Sequence, residues 1–262
     1  MDGDVRIRYS RFTHNSGLEE VGAIFVSGGK TSIDQTTLSA NIGDPAAGVL
    51  VDDDGNLAVS DSAFVENVGL GGGGGIFNRG GTAAVINTTF ARNLISGTGG
   101  GEGIAILNFG SMSLTSNTFA ENTVANLGVG LPASVIASHN TAILLQNSIV
   151  VHTGDPFVET CDGLVTSLGN NLISELSCMN ILQSTDRVGD ASLNKLADDG
   201  TPGNPHFPLL PVSQAISNAN DAACPKKDQI GVPRRMIGGS TRKEFQQVAG
   251  WMLHPISHVR GA

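Results

Sequence analysis

The feature of the sequence that most constrains the fold is a repeat of about 26 residues. Bulky apolar residues, which we call anchors, recur at Phe12, Leu38, Phe64, Phe90, Phe119 and Ile149. The first three steps between anchors are 26 residues each, and the last two are longer. A unit of this length cannot bury its apolar side alone, so successive units must stack on one another. The repeat therefore predicts a solenoid.

Each repeat carries at least two short segments with the pattern of β-strands. One apolar position lies five residues before each anchor, at Ile7, Ile33, Val59, Val85, Leu114 and Leu144. A second line of matches has an apolar residue two positions after a glycine, at Ile24, Leu50 and Ile76. Apolar and polar residues alternate in residues 57–60 (LAVS), and glycines interrupt the segments too often for helices. We therefore expect stacked parallel strands and not a helical solenoid.

The predicted fold is an all-β, single-stranded, right-handed parallel β-helix with about six coils over residues 1–154. Each strand would pair in parallel with its copies in the coils above and below. Neighbouring strands lie about 4.8 Å apart, so about six coils make a rod on the order of 29 Å long. The right hand follows from the general preference of parallel crossovers in L-chains, because the spacing itself carries no handedness.

A polar residue follows each anchor by three positions. Asparagine occupies this position in the first five repeats, at Asn15, Asn41, Asn67, Asn93 and Asn122. His152 takes it in the sixth repeat. A buried amide must find hydrogen-bond partners, and a stack of identical turns supplies them, so we predict an internal structural ladder. A second polar column lies two residues before the anchors, at Ser10, Thr36, Ser62, Thr88, Asn117 and Asn147.

The charge balance argues against nucleic acid as a partner. The formal net charge is -9 at pH 7, whereas nucleic-acid binding needs clustered Lys and Arg side chains. The chain has no stretch of about eighteen apolar residues, so we expect no membrane span. Residues 1–9 are charged and alternating, unlike a signal peptide, so we expect the leader of an exported protein to be missing from this chain.

The three cysteines are too few and too widely spaced for a zinc site of the paired C-x-x-C type. We expect Cys161 and Cys178 to form a disulfide, which leaves Cys224 over. Closing this short loop would stabilise the fold by roughly 3 kcal/mol in the chain-entropy model. Such a bond persists only in an oxidising compartment.

The densest carboxylate cluster comprises Asp52, Asp53 and Asp54, followed by Gly55 at a turn. Hard cations such as Ca²⁺ take oxygen ligands from flexible loops, which makes a calcium site one interpretation. Adjacent residues of an extended segment point in alternating directions, however, so the three carboxylates are not expected to reach one ion. Solvated turn acids are the favoured interpretation, and no cofactor other than Ca²⁺ is indicated.

We predict no catalytic residues. The motifs H-E-x-x-H and G-x-S-x-G do not occur, and the 6 histidines are scattered singly along the chain. The outward positions of the first strand in each repeat are Arg6, Arg8, Ser32, Asp34, Ala58, Ser60, Ala84, Ile86, Ser113 and Thr115. An acid and a base do not recur together among them, and the chain has few aromatic residues to serve as sugar platforms.

Two motifs of the repeat are GGGIFN at residues 73–78 and VINTTFARN at residues 85–93. They resemble the repeats of pectate-lyase-like β-helix proteins of bacterial surfaces. Further along, residues 161–163 (CDG), 166–173 (TSLGNNLI) and 228–234 (DQIGVPR) resemble the closing segment of proteins with a choice-of-anchor Q domain. The resemblance implies a secreted or surface-exposed protein, and it implies no particular reaction.

The resemblance also divides the rest of the chain. It implies a closing segment over residues 155–235, with long loops that pack on the β-helix. The chain departs from the family pattern after this segment. Residues 236–262 form a tail with two interpretations, a short helix favoured by a capping-box pattern at residues 241–244 (TRKE) and a poorly ordered terminus.

The sequence leads to two hypotheses on function. The first is a non-catalytic, adhesin-like scaffold, extracellular or on a bacterial cell surface, whose long sides contact a polysaccharide or another surface protein. Its first coil lacks a capping element, so copies of the chain could stack end to end. The rival is a carbohydrate-active enzyme, a polysaccharide lyase or glycoside hydrolase, that uses the Asp52 to Asp54 turn or Asp34 with Arg8.

Overall fold

The computed structural model describes residues 3–19, 21–97, 101–125, 133–175, 177–178 and 182–234. These residues form an all-β, right-handed parallel solenoid of about six coils, as the repeat predicts. The predicted tail helix in residues 236–262 lies outside the described residues. Among the described residues, no helix is long and apolar enough to cross a membrane.

Each regular coil has four strands, and equivalent strands of successive coils pair in parallel. The first strands of the coils are β1 (Asp4–Arg8), β5 (Lys30–Asp34), β9 (Asn56–Ser60), β13 (Thr82–Ile86) and β17 (Ser111–Thr115). The second strands are β2 (Arg11–Thr13), β6 (Thr37–Ser39), β10 (Ala63–Val65), β14 (Thr89–Ala91) and β18 (Thr118–Ala120). The third strands are β3 (Ser16–Gly17), β7 (Ile42–Gly43), β11 (Val68–Gly69), β15 (Leu94–Ser96) and β19 (Thr123–Ala125). The fourth strands are β4 (Ile24–Val26), β8 (Val49–Val51), β12 (Ile76–Asn78) and β16 (Ile106–Asn108).

The long strand β20 (Ala133–Gln146) joins two of these stacks into one 11-stranded sheet. Its first part pairs with β16 and its second part pairs with β17. Parallel pairing continues past residue 154, where the repeats were expected to end. The later strands are β21 (Ile149–Val150), β22 (Val158–Ser167), β23 (Leu172–Ile173) and β24 (Arg187–Val188). Since β22 pairs with β20, and β24 extends the stack of second strands, the start of the predicted closing segment belongs to the solenoid.

The anchors fill the core beneath the second strands. Phe64, Phe90 and Phe119 are fully buried, and their rings stack with centroids 4.8 Å apart and interplanar angles of 7° and 8°. This separation equals the spacing of the paired strands, so the backbone sets the ring stack directly.

The structure corrects the register of the sixth repeat. Phe119 pairs with Val150 and not with Ile149. One strand earlier, the residue at the buried position is Leu145 and not Leu144, which is 40% exposed. Side chains alternate along a strand, so an error of one residue exchanges the inward and outward faces. Both members of each pair are apolar, and hydrophobicity alone could not distinguish them.

The shift also corrects the two polar columns. Ser148, and not Asn147, accepts a hydrogen bond from the backbone N–H of Asn117, at 3.2 Å. His152 does not continue the ladder, because its ring nitrogens contact the carbonyl of Val158 and the N–H of Gly154. A register error of one residue also affects the predicted line of apolar residues that lie two positions after a glycine, at Ile24, Leu50 and Ile76.

In that line, Ile24 pairs with Val49 and not with Leu50. Leu50 instead lies opposite Phe25 and Phe77, one position further along the strand. The apolar run at residues 49–51 offers three candidates for one position, and strand pairing decides among them.

The predicted asparagine ladder is present at the turn between the second and third strands. Hydrogen bonds of 2.8 to 3.0 Å between side-chain amides join successive members, which are Asn15, Asn41, Asn67, Asn93 and Asn122. Each inner Nδ2 also donates to an anchor carbonyl; that of Asn67, for example, donates to Leu38 O at 3.0 Å. The residue before each ladder member has a φ between 52° and 57°, which takes the backbone out of the strand geometry. The amides therefore satisfy the polar groups of a buried turn.

Residues 182–234, which we call the strap, begin with β24 at the end of the stack of second strands and then cover the outer face of that stack. The strap first runs back to the first coil, where Asp198 forms an ion pair with Arg11 at 3.4 Å. It then reverses, and antiparallel bridges join its two legs, one of them between Ala197 and His206. Phe207 is buried against the outward alanines of the second strands, among them Ala91.

The strap is fixed to the rod by polar side chains as well as by apolar packing. The Oε1 atom of Gln229 accepts a hydrogen bond from the Thr89 hydroxyl at 2.7 Å. Its Nε2 atom donates to the carbonyls of Gly203 and Pro205 at 2.7 and 2.8 Å. Gln229 is only 2% exposed, and this one side chain joins a coil to residues 203 and 205 at the reversal of the strap.

We expect Asn67→Ala to lower the free energy of unfolding by about 2–4 kcal/mol, because it leaves buried partners of the Asn67 amide without a hydrogen bond. The exposed Asn56→Ala variant is the control, for which a change within about 0.5 kcal/mol is expected. Urea denaturation followed by circular dichroism measures both values. Equal effects in the two variants would contradict a supporting role of the ladder.

We expect Gln229→Ala to loosen the strap while leaving the coils folded, because the lost hydrogen bonds join residue 229 to β14 and to the reversal of the strap at residues 203 and 205. Limited proteolysis with mass spectrometry should show cleavage within residues 182–234 at least about tenfold faster than in the parent chain, the ratio for about 1.4 kcal/mol of local stability. The exposed Lys226→Ala variant serves as the control. Unchanged cleavage in Gln229→Ala would contradict a role of this side chain in holding the strap on the rod.

Candidate functional site

The cysteines lie at the far end of the rod. Cys161 and Cys178 are joined by a disulfide with a Cα–Cα separation of 5.3 Å. Cys161 faces the core at 6% exposed, so the next residue of β22, Asp162, faces outward. Cys224 is half-buried in the strap, 3.8 Å from Asn147 Nδ2, and burial raises the pKa of its thiol.

The aspartates of the turn at residues 52–54 do not form a common site. The Asp52 carboxylate pairs with Arg79 at 3.5 Å, while Asp53 and Asp54 are exposed at the tip of the turn. A guanidinium beside one of the three oxygen donors disfavours a cation there. This arrangement agrees with solvated turn acids, the interpretation that the sequence favours.

Arg8 and Asp34 lie together on the outer face of the first strands. Their side chains form an ion pair at 3.4 Å, and the Ser60 hydroxyl donates to Asp34 Oδ1 at 2.9 Å. The same column continues in the next coils with Ile86 and Thr115, which bear no charge. The pair therefore occurs once, at one end of the face.

A second acidic cluster lies where the strap meets the corner after the first strands. Asp61 and Asp228 both have a raised pKa, chiefly because burial penalises their charged forms. Asp34 adds to the shift of Asp61, whereas a hydrogen bond from Asn87 and the charge of Arg234 oppose it. Arg234 Nη2 donates to Asn87 Oδ1 at 2.7 Å. The Asp228 carboxylate accepts from the N–H of Val232 at 2.7 Å, so it closes a turn of the strap.

These contacts give residues 228–234 (DQIGVPR) a structural role. Asp228 shapes the turn, Gln229 enters the groove between strap and rod, and Arg234 contacts the Asn87 side chain of the fourth coil. The segment that carries part of the family resemblance thus docks the strap. The raised pKa values at this corner follow from that docking, and no reactive group is needed to explain them.

The sequence analysis missed a third cluster, in which three side chains from three consecutive coils meet. His139 Nε2 lies 2.8 Å from Glu102 Oε2. One potential ligand atom each of Glu102, His139 and Asp162 lies within 4.8 Å of the others, and no other group of three or more such residues in the described ranges meets this criterion. All three side chains are partly exposed. We call these residues the triad.

Local backbone features place the triad on the outside of the rod. His139 lies within β20, and its ring stacks at a tilt of 38° on Phe109, with centroids 5.0 Å apart. Asp162 lies opposite Ala137, two residues before His139. The register of β20 and β22 then shifts between Ser138 and Ile143, so His139 lies in an irregular part of the strand pair. Glu102 comes from the connection between β15 and β16, just after the bridge that links Gly101 to Ala133.

Little in the sequence points to the triad. Its members stand 37 and 23 residues apart and follow neither the period nor a short ligand motif. The strand β22 also lacks the repeat pattern, so its alignment under β20 could not be read from the sequence. The triad was therefore visible only after the coils were stacked.

The comparisons with known proteins give no relative. No protein-family model matches the chain, and neither a curated protein nor a solved structure matches it. The parallel solenoid stands on the geometry alone, and the finer resemblance to pectate-lyase-like and choice-of-anchor proteins stays a prediction.

We expect Asp61→Asn to stabilise the chain at about pH 7, with a gain that shrinks as the pH falls. Burial raises the folded-state pKa of Asp61 above its unfolded value, so the wild-type chain loses stability as the pH rises through that raised pKa. Below the unfolded pKa, near 3.8, both states hold the proton and the difference between the two proteins becomes constant.

Urea midpoints of both proteins between about pH 4 and about pH 8 measure this gain. Asp53→Asn, at an exposed turn, is the control for the loss of one negative charge. A stability difference between Asp61→Asn and wild type that does not grow with pH would contradict the prediction.

Proposed function

We propose that the chain is a non-catalytic, adhesin-like scaffold, extracellular or on a bacterial cell surface, that presents the outer face of its first strands to a flat or extended partner. A polysaccharide is the partner class on which this proposal is tested. The observation that carries the proposal is the make-up of this face, which we call the open face.

The open face consists of three rows of outward side chains on β1, β5, β9, β13 and β17. The first row is exposed throughout and consists of Asp4, Lys30, Asn56, Thr82 and Ser111. The middle row contains Arg6, Ser32, Ala58, Ala84 and Ser113, and the third contains Arg8, Asp34, Ser60, Ile86 and Thr115. From β9 to β17 the side chains are short or medium-sized and uncharged, so this part of the surface is flat over about 10 Å, or two strand spacings.

The strap supports this choice of face. It covers the outer face of the second strands, where Phe207 is buried against Ala63 and Ala91. The open face has no such cover in the described part of the chain, and Ala58 and Ile86 on it are exposed. A surface kept free along five coils is suited to a partner that extends along the rod.

The disulfide supports the location. Cys161 and Cys178 are joined, and a bond of this kind persists in an oxidising environment such as the cell exterior. The strand β1 pairs on one side with β5 and forms the end of its sheet in the described chain. Its other edge offers backbone groups to a second copy, and end-to-end contact between copies stays a prediction.

The rival function, a carbohydrate-active enzyme, has one observation in its favour. Arg8 and Asp34 form an ion pair on the open face, near Asp61 with its raised pKa. Asp61, however, is held by Asn87 at the strap, and the charged pair does not recur along the face. These contacts favour binding over cleavage.

We expect Ala58→Arg to weaken binding of the chain to the polysaccharide it retains best by at least about tenfold, because a long charged side chain would stand out of a flat contact surface. Ala222→Arg, at an exposed position of the strap, is the matched control and should bind like the parent. Affinity electrophoresis over a panel of acidic and neutral polysaccharides measures the change.

The same panel tests the rival. Incubation with the full chain, with and without Ca²⁺, is followed by detection of reducing ends and of unsaturated uronates. New chain ends that disappear in Asp34→Asn would overturn the non-catalytic proposal. Retention that is equal in Ala58→Arg and the parent would overturn the assignment of the open face.

A further inference from the structure

We propose that Glu102, His139 and Asp162 form a binding site for one divalent transition-metal ion, with Zn²⁺ as the representative. The geometry that points to the site is the convergence of one imidazole nitrogen and two carboxylate oxygens within 4.8 Å of one another. The proposal is independent of the function of the open face.

The donor set favours a borderline ion over a hard one. Imidazole is a common ligand of zinc, copper, iron and nickel, whereas calcium takes oxygen ligands almost throughout. Zinc sites that are accessible to solvent have three protein ligands, and water occupies the remaining coordination position. In tetrahedral coordination with bonds of about 2.1 Å, donor atoms lie about 3.4 Å apart. The His139 Nε2 and Glu102 Oε2 atoms are 2.8 Å apart and all three donor atoms lie within 4.8 Å of one another, so the donors stand close to this spacing.

The charges around the triad distinguish it from four other acidic residues of the rod. Asp34, Asp52, Glu66 and Glu121 each have an arginine within ion-pair distance. In the part of the chain that the structure describes, neither Glu102 nor Asp162 forms an ion pair with Lys or Arg, and Glu102 contacts His139 instead. A divalent ion would supply the positive charge that an arginine supplies beside the paired carboxylates elsewhere on the rod.

The supports of the triad make the ligands pre-organised. Phe109 stacks on the His139 ring, and the disulfide of Cys161 holds β22 directly beside Asp162. The N–H of Gly103 donates to the Ser134 hydroxyl at 3.3 Å, which ties the loop of Glu102 to β20. An ion at this position would be held by three consecutive coils, so binding would also stabilise their stacking.

The test uses the full chain, treated with a chelator and dialysed, and titrates it with Zn²⁺ by calorimetry at about pH 7 and with Co²⁺ by visible absorption. We expect one ion per chain, an absorption band of a cobalt site that includes nitrogen, and a higher thermal unfolding midpoint with saturating metal. Glu102→Gln, His139→Gln and Asp162→Asn should each weaken binding by at least about tenfold.

Two control variants separate this site from other ligands of the chain. His254→Gln with His258→Gln removes the two histidines of the tail, and His14→Gln with Glu121→Gln removes an imidazole and a carboxylate elsewhere on the rod. Both controls should bind one ion like the parent chain. All three triad side chains are partly exposed, so their near-isosteric variants are expected to fold, and circular dichroism checks this.

Absence of saturable binding, or binding that survives in both His139→Gln and Asp162→Asn, would overturn the proposal. In that case His139 and Glu102 form a surface hydrogen bond without a metal. Loss of binding in the tail variant, with the triad variants unaffected, would equally overturn it by placing the ion on His254 or His258.

Discussion

The stack of coils depends on how its buried turns satisfy their polar groups. Backbone hydrogen bonds between equivalent strands form in any parallel stack. In the turn after each second strand, however, a residue with positive φ takes the backbone out of the strand conformation. At this point the asparagine amide supplies both donor and acceptor. Asn67 accepts from the backbone N–H and the amide of Asn41, and it donates to Asn93 and to the Leu38 carbonyl. A serine or threonine could not make all four contacts.

The ladder keeps one corner of the rod in register while another corner varies. The sequence spacing between ladder members rises from 26 to 29 residues at Asn122. The hydrogen bond between the Asn93 and Asn122 amides is nevertheless 2.9 Å long, as it is between Asn41 and Asn67. The extra residues are accommodated in the connections from third to fourth strands. One of these connections carries Glu102, and the longer β20 that follows the next one carries His139. The turn with the asparagine ladder thus keeps the coils in register, while the connections from third to fourth strands vary in length. These connections bring together side chains that do not belong to the repeat pattern.

The acidic residues in three places of the structure differ in the groups that contact their carboxylates. Asp34 is neutralised by Arg8 on the open face, and Asp61 and Asp228 belong to the docking of the strap. The triad differs because its carboxylates meet an imidazole and not a guanidinium. A raised pKa is therefore a poor guide to function here, since burial under the strap produces it, whereas the pairing of charges distinguishes the three places.

The sequence by itself determined the coil, at least two of the four strands in each regular coil, and the asparagine ladder. A period of 26 residues with anchors and asparagines at fixed offsets permits one stacking of the first four repeats, because any other leaves Phe64 or Asn67 without equivalent neighbours. The tertiary structure alone decided the register where the period changes, as at Val150 and Leu145, since adjacent apolar residues satisfy the pattern equally well. It also decided the path of the strap and the meeting of Glu102, His139 and Asp162. Those contacts join residues far apart in the chain, and such distances are fixed only when the backbone hydrogen bonds of all coils are formed together.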